Sequence, residues 1–291
     1  MGLTPSAMAA TEKEREADAA AAVEAIELPL LLEAIFQRYG YDFRAYAPAS
    51  MKRRVHRAMQ QEARRTVSGY QERILREPEA MARFLDAVSV EVTAMFRDPY
   101  FHKAFREKVA PGLRGLPLIR VWHAGCATGE EVYSMAILLH EEGLLEKTRL
   151  YATDLNARAI ERGKQGIFPL KHMRDYTANY QKAGGRGTFS DYYTAKHDAV
   201  IMRDFLRKSI TWAEHNLAAD GSFNEFHLIV CRNVMIYFNR ELQERVHRLI
   251  YDSLAPGGVL ALGHGESLQF SLLEERYVAV DRAEKIYRKI R

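Results

Sequence analysis

The chain has 291 residues, of which 47% are hydrophobic and 27% charged, which is typical of a globular protein with one large or two modest domains. Its formal net charge of +4 is too small to indicate nucleic acid binding by the whole chain, so we predict no nucleic acid partner. Two cysteines make no disulfide framework, the histidines lack metal-ligand spacing, and no apolar run reaches the roughly 18 to 20 residues of a membrane span. We therefore expect a cytoplasmic protein without a metal site or membrane insertion.

The N-terminal third predicts a tail followed by a small helical domain. Residues 1–23 are rich in Ala, Glu and Lys and have almost no large apolar side chains, which predicts a disordered tail. Over residues 24–90, apolar side chains recur at helix spacing and predict a helical domain. They include Leu31, Leu32, Ile35, Phe36, Val55, Met59, Ile74, Leu75, Met81, Phe84, Leu85 and Val88.

The middle of the helical domain is strongly basic, and only Glu62 opposes it locally. The basic residues are Arg44, Lys52, Arg53, Arg54, Arg57, Arg64 and Arg65. On a helix that begins near Pro48, Arg53, Arg57 and Arg64 fall near one face. Most charge runs are solvated surface, and the alternative here is a docking patch for an acidic partner. Arg53, Arg54 and Arg57 are the candidate docking residues.

Residues 91–110 are predicted to link the helical domain to an α/β domain that spans residues 111–291. The linker carries Thr93 and Arg97, and its second half has the apolar spacing of an amphipathic helix. Pro111 and Gly112 end that helix.

The segment Leu118–Glu131 reads as a strand, a glycine loop and the start of a helix. This order builds the first crevice of a doubly wound sheet, where ligands bind beyond the carboxyl ends of the strands. A phosphate loop would place a lysine at the helix start, but this chain has Glu130 and Glu131 there. Two carboxylates favour a cofactor with a cationic amino-acid tail, such as S-adenosylmethionine, over a dinucleotide. The alternative is that the pair only complements the helix dipole.

A second strand is predicted at Leu150–Thr153, and Asp154 follows it directly. An acid at the end of the second strand, about 25 residues after the glycine loop, suits hydrogen bonds from ribose hydroxyls. Asp154 also precedes a predicted helix, so the alternative is that it caps that helix.

The α/β rhythm is interrupted between about residues 166 and 210. This segment holds a glycine cluster, a pair of tyrosines, and candidate strands at Ala199–Met202 and Ile210–Trp212. We predict a small inserted antiparallel β-subdomain that recognises a substrate or a partner.

Polar residues follow the next strands at the ligand edge of the predicted sheet. Asn216 and Leu217 end one strand, and Arg232 and Asn233 follow the nearly continuous apolar run Phe226–Cys231. Such a run is typical of a central parallel strand that is buried on both faces. A helix, another strand and a closing hairpin are predicted for the remainder.

Four short motifs identify a family. They are GCATGEEVYS at Gly125–Ser134, ATD at Ala152–Asp154, CRNVMIYF at Cys231–Phe238 and GHGES at Gly263–Ser267. From about residue 30 to the C-terminus, the chain resembles the CheR family of chemotaxis receptor methyltransferases. The resemblance implies an α/β class I S-adenosylmethionine-dependent methyltransferase domain, with a doubly wound sheet, an N-terminal helical domain and an inserted small antiparallel β-subdomain.

The resemblance also assigns residues to the site. By position in the motifs, the cofactor contacts fall on Thr93, Arg97, Glu131, Asp154, Asn216, Leu217, Arg232 and Asn233. Arg97 and Tyr237 take the catalytic positions, with Arg97 orienting the attacking carboxylate and Tyr237 near the transferring methyl group. The chain departs from the family at Glu91, where members usually have Asn.

The activity implied by the resemblance is protein-glutamate O-methylation. S-Adenosylmethionine would methylate receptor glutamates to methyl esters in chemotaxis signal transduction, with S-adenosylhomocysteine as product. The expected partners are chemoreceptor cytoplasmic helices, and we expect a monomer. Two alternatives stay open, namely a cofactor-binding adaptor with little catalysis and a carboxyl methyltransferase of a non-receptor protein. Arg232–Met235 lacks the Asn/Asp-Pro-Pro-aromatic string of nucleic acid amino-methyltransferases, which counts against that class.

Overall fold

The computed structural model describes residues 5–89, 93–269 and 271–290. The chain divides into two compact units, Met1–Val88 and Ser89–Arg291. The helices described in the first unit are α1 (Pro5–Tyr39), α2 (Pro48–Gln61), α3 (Val67–Arg76) and α4 (Pro78–Val88).

The first unit has a core built from the predicted helix-spaced apolar residues. Helix α1 packs on α3, and α2 packs on α4. Ile35, Val55, Ile74 and Phe84 are completely buried between them. Proline begins α2 and α4, because its missing N–H and fixed φ suit the first turn of a helix. The helical pattern predicted for this part of the chain is therefore correct.

Helix α1 begins at Pro5, inside the segment for which composition predicts a disordered tail. Residues 18–23 of this helix are exposed, in agreement with their lack of core side chains. The difference has a simple physical reason. Alanine and glutamate have high intrinsic helix propensity, so a segment can be helical without contributing to a core.

The described residues of the second unit form two sheets. Its strands are β1 (Ile119–Ala124), β2 (Thr148–Asp154), β3 (Ile167–Pro169), β4 (Tyr193–Lys196), β5 (Ala199–Met202), β6 (Ile210–Glu214), β7 (Phe226–Cys231), β8 (Leu254–Leu262), β9 (Tyr277–Asp281) and β10 (Ile286–Lys289). The large sheet has the order β6-β2-β1-β7-β8-β10-β9, and β6, β2, β1, β7 and β8 are parallel neighbours. Strands β9 and β10 form the closing antiparallel hairpin that the sequence predicts.

The helices of the second unit precede β1 or lie between the strands of the two sheets. They are α5 (Pro99–Lys108), α6 (Ala110–Leu113), α7 (Glu130–Glu141), α8 (Ala157–Gln165), α9 (Met173–Lys182), α10 (Asp204–Arg207) and α11 (Arg240–Ser253). Among the residues described, no helix combines the length and apolarity needed to cross a membrane.

The small sheet has the order β3-β5-β4 and is antiparallel throughout. This confirms an inserted antiparallel element after α8. The prediction that Ile210–Trp212 belongs to it is wrong, because β6 pairs in parallel with β2 at the edge of the large sheet. A short apolar strand carries no local signal of which sheet it joins.

The central strands β1 and β7 position the site. They pair in parallel, with Trp122 opposite Ile229, and their apolar side chains are buried on both faces. Because the five parallel strands share one direction, the segments that follow them meet at one edge of the sheet.

Candidate functional site

A pocket lies at this edge of the large sheet. Its lining comes from the segment before α5, the loop between β1 and α7, the first turn of α7, and the loop after β7. The residues that line it are Thr93, Arg97, Gly125, Cys126, Ala127, Glu131, Arg232, Asn233 and Tyr237. We call it the edge pocket. It brings together six of the site residues that the sequence motifs assign.

The glycine loop, which joins β1 to α7, requires glycine at two positions because of its backbone conformation and its close packing. Gly125 has φ +75° and Gly129 has φ +90°, in the left-handed region that favours glycine. A Cβ on Gly125 would lie 2.5 Å from Cγ2 of Val234, and a Cβ on Gly129 would lie 2.5 Å from Cη2 of Trp212. A side chain at either position would therefore clash unless the loop or its neighbour moved.

Asp154 ties the glycine loop to the end of β2. Its Oδ2 accepts a hydrogen bond from the Ala127 N–H at 2.8 Å, and its Oδ1 accepts from the Asn156 N–H at 3.0 Å. Asn156 is the residue that caps α8, so the alternative role of Asp154 as the helix cap is wrong. Burial raises the pKa of Asp154, and the backbone donors oppose that rise. The ribose contact of Asp154 stays a prediction.

Glu131 lies at the first turn of α7 with a cation beside it. Its Oε2 accepts from Arg232 Nη1 at 2.8 Å, and its Oε1 is 3.4 Å from His123 Nδ1. Burial alone would raise the pKa of Glu131, but His123 and Arg232 outweigh it and lower that pKa to about 2. Glu131 therefore offers an ionised carboxylate to the edge pocket at neutral pH.

Arg232 is the centre of a buried charge network. Its Nη2 donates to Asp98 Oδ2 at 2.7 Å, and its guanidinium lies 4.1 Å from the ring centroid of Phe101. The Arg232 side chain is only 1% exposed. The guanidinium thus fixes the carboxylates of Asp98 and Glu131, and the direct cofactor contact assigned to Arg232 stays a prediction.

The segment before α5 is anchored to the rest of the second unit by both backbone and side chains. The Phe96 N–H donates to Ser134 Oγ on α7 at 2.8 Å, and the Phe96 ring packs edge-on against Tyr180. This anchor holds Thr93 and Arg97 at the edge pocket. Glu91, where the chain departs from the family pattern, lies outside the described residues.

Sequence reasoning missed the role of Glu266. We call residues 232–238 the β7 loop. Glu266 Oε1 accepts from the N–H groups of Val234 and Met235 at 2.8 and 2.7 Å. Glu266 Oε2 accepts from Asn233 N–H at 3.0 Å and Gly263 N–H at 2.6 Å. Burial raises the pKa of Glu266, and these four donors oppose the rise. The GHGES motif was the available signal, but it does not say which backbone groups its glutamate binds.

Asn216 and Leu217 follow β6 at the same sheet edge but do not line the edge pocket. Asn216 Oδ1 accepts from the Ala218 N–H at 2.9 Å, and the Asn216 N–H donates to Asp220 at 2.8 Å. Leu217 is 7% exposed. Their assignment to cofactor binding stays a prediction.

Only part of the predicted docking patch is exposed. Arg53 and Arg57 are exposed on α2. Arg54 is buried at 8% exposure, and its Nη1 donates to the Val88 carbonyl, so its assignment to docking is wrong. The reason is helix periodicity, which puts Arg54 on the apolar face of α2 beside Val55.

Two other basic residues of the helical domain have acidic partners. Arg44 Nη1 and Nη2 lie 2.9 and 2.8 Å from Glu33 and Asp42, and Lys52 Nζ lies 3.3 Å from Glu24. Glu62 is therefore not the sole local acid, and the excess positive charge is smaller than the sequence run implies.

Comparison with known families matches both units. The description "CheR methyltransferase, SAM binding domain" matches residues 91–282, and "CheR methyltransferase, all-alpha domain" matches residues 26–89.

Individual proteins are similar over most of the chain. A protein of Pseudomonas putida named "Putative methyltransferase Cher3" is 49% identical over 264 residues, which cover 91% of this chain and 97% of that protein. A "Chemotaxis protein methyltransferase" of Listeria innocua is 28% identical and covers 79% of this chain and 85% of its own length. The Escherichia coli protein of the same name is 30% identical over 210 residues, which cover 70% of this chain and 69% of that protein.

Proposed function

Because this chain belongs to the CheR methyltransferase family, we propose that it methylates glutamate side chains of chemotaxis-type receptors to methyl esters. The chain is a chemotaxis methyltransferase that uses S-adenosylmethionine. The observation that supports glutamate as the methylated group is the edge pocket, in which Arg97 and Tyr237 lie with the ionised carboxylate of Glu131.

The residues of the edge pocket fit S-adenosylmethionine. Glu131 keeps its charge at neutral pH, and a carboxylate with several acceptor sites can accept from the ammonium of the amino-acid tail as well as from Arg232. Gly125 lets the glycine loop lie directly against the Val234 side chain, which a Cβ at this position would overlap. Asp154, at the end of the neighbouring strand, is proposed to accept from the ribose hydroxyls.

The proposed reaction needs no general base. A free glutamate has a pKa of about 4.3, so the attacking carboxylate is ionised at neutral pH. When bound, the cofactor supplies an electrophilic methyl group on a sulfonium. The work left to the protein is in-line alignment of the two reactants, which can supply several kcal/mol of the barrier reduction.

Arg97 and Tyr237 are proposed to perform this alignment. A guanidinium can hold one carboxylate oxygen while the other faces the methyl group. The role of Arg97 is orientation, because tight bidentate pairing of both oxygens would reduce their nucleophilicity. Tyr237 packs beside the transferring methyl and excludes water from it.

The test is methyl transfer to receptors by the purified chain. Receptor-containing membranes are incubated with S-adenosylmethionine labelled in its methyl group, and base-labile label on receptor protein is counted. We expect base-labile methyl esters that depend on the chain. Label on a different protein would replace the receptor as substrate, and cofactor binding without any transfer would support an adaptor.

A further inference from the structure

We propose that Glu266 is a positioning residue, which holds the β7 loop in the shape that the edge pocket requires for cofactor binding. Glu266 acts through Asn233 and its neighbours and does not line the edge pocket itself. The inference rests on the assignment of the edge pocket to the cofactor and is independent of which protein accepts the methyl group.

The contact is a built anion site occupied by the protein's own carboxylate. Three successive backbone N–H groups, from Asn233, Val234 and Met235, point at Glu266, and Gly263 supplies a fourth donor. Successive N–H groups of this kind form a concave nest for an anion. Glu266 is 5% exposed. Its carboxylate therefore serves as the hydrogen-bond acceptor for these N–H groups, in place of water or a backbone carbonyl.

The β7 loop includes a backbone conformation that residues other than glycine seldom adopt. Asn233 has φ +62°, in the left-handed region, and a short 3-10 turn follows at Met235–Tyr237. A residue in that region needs surroundings that hold it there. The Glu266 carboxylate binds the N–H groups of Asn233, Val234 and Met235, which lead into this turn. It therefore selects the conformation that places Asn233 and Tyr237 at the edge pocket.

An apolar residue could not replace Glu266. It would leave four backbone N–H groups buried without an acceptor, which is costly. The carboxylate spans 33 residues of sequence to bind Asn233, so the shape of the β7 loop depends on a residue outside that loop.

Gly263 provides a second way to disturb the same contact. A Cβ on Gly263 would lie 2.7 Å from Asn233 N, 2.9 Å from Asn233 Nδ2 and 2.9 Å from Glu266 Oε2. The substitution Gly263→Ala thus displaces the β7 loop while the Glu266 charge remains.

The experiment measures S-adenosylhomocysteine affinity by calorimetry, and melting temperature in parallel, on the full chain. Each oxygen of Glu266 accepts from two backbone N–H groups. In Glu266→Gln the amide NH₂ therefore faces two N–H donors in either orientation of the side chain and cannot accept from them. Glu142→Gln is the matched control, because Glu142 is a buried carboxylate that binds Arg106, Arg114 and Arg186 away from the β7 loop. We expect all three variants to melt at lower temperature. Glu266→Gln and Gly263→Ala should each weaken binding at least tenfold, while Glu142→Gln stays within twofold of the parent.

A double variant separates positioning from general loss of stability. If Glu266 acts through Asn233, Glu266→Gln should add little further loss of affinity in an Asn233→Ala background, whereas independent effects would add. A folded Glu266→Gln variant that binds within twofold of the parent overturns the proposal. If that variant does not fold, Gly263→Ala decides, since tenfold weaker binding supports the proposal and unchanged binding overturns it. Failure of receptor methylation in the parent would leave this binding test unaffected.

Discussion

At the scale of single residues, the charge of Glu131 depends on its two partners. Arg232 donates to one of its oxygens, and His123 lies beside the other. Their combined effect outweighs burial and lowers the pKa of Glu131 from 4.5 to about 2. A carboxyl whose pKa is lowered on folding stabilises the fold above its unfolded pKa, and this contribution disappears as pH falls through the folded pKa.

Glu131→Gln should therefore lower the free energy of unfolding by about 2 to 3 kcal/mol at pH 7. The difference from the parent should shrink as pH falls from about 4.5 towards 2, because the parent then protonates Glu131. Urea unfolding of the cofactor-free parent and variant at a series of pH values measures this difference in the free energy of unfolding. Glu72→Gln, at a site that is 69% exposed in a surface pair, is the control and should show a small difference throughout. A Glu131→Gln difference that does not change with pH would contradict the assigned charge network.

At the scale of elements, Glu141 joins α7 to the segment that contains α9 and leads to β4. Its Oε1 accepts from the hydroxyls of Tyr180 and Tyr192 and from the Arg186 N–H at 3.1 Å. Its Oε2 pairs with Arg106 on α5. One carboxylate therefore satisfies donors from several elements.

Glu141→Gln should destabilise this segment more than the rest of the sheet. The amide removes one of the two carboxylates that pair with Arg106, and Glu142 remains as the other. We expect a loss of about 1.5 to 3 kcal/mol in the free energy of unfolding, the scale of hydrogen bonds to a charged group. Amide hydrogen exchange should show lowered protection in α9 while β1 and β7 keep theirs. Tyr192→Phe removes a single donor to Glu141 and should give a smaller effect of the same kind. Equal loss of protection in all strands would contradict a local role.

Much of the fold could be predicted because burial leaves a periodic pattern in sequence. The apolar runs of β1 and β7 predict central strands, and helix spacing predicts the first unit. The sheet to which β6 belongs could not be predicted, because pairing with β2 is decided by the chain's path and not by five local residues. The helix at the N-terminus was missed because a lack of core residues was taken as a lack of helix.

The pairing of polar residues that are distant in sequence was the part of the site that was hardest to predict. The motifs predicted that Glu131, Arg232 and Tyr237 would lie at the sheet edge, and the structure brings them together. The motifs could not show that Arg232 binds Asp98, or that Arg54 would find the Val88 carbonyl. Such contacts depend on the geometry of segments that fold together, so local spacing does not encode them.

At the scale of the whole molecule, the exposed charges of α2 predict how the protein meets its substrate. Arg57→Glu should raise the apparent KM for receptors several-fold at low salt and reduce its salt dependence, because steering by charge is screened within about 8 Å at physiological salt. Methylation rates at two salt concentrations measure the effect. Arg76→Glu is the matched control, since Arg76 is 77% exposed on α3 of the same unit. Equal effects of the two reversals would show that α2 is an ordinary solvated face.

The central claim is that the edge pocket transfers a methyl group to a glutamate carboxylate that Arg97 orients. The most direct measurement is the rate of base-labile ester formation on receptor protein by the parent and by Arg97→Ala, at saturating S-adenosylmethionine. The account predicts ester formation by the parent and a rate at least about a hundredfold lower for Arg97→Ala, the scale of a lost positioning contact, with much of the cofactor affinity retained. Near-parent ester formation by Arg97→Ala, or no ester formation by the parent, would contradict it.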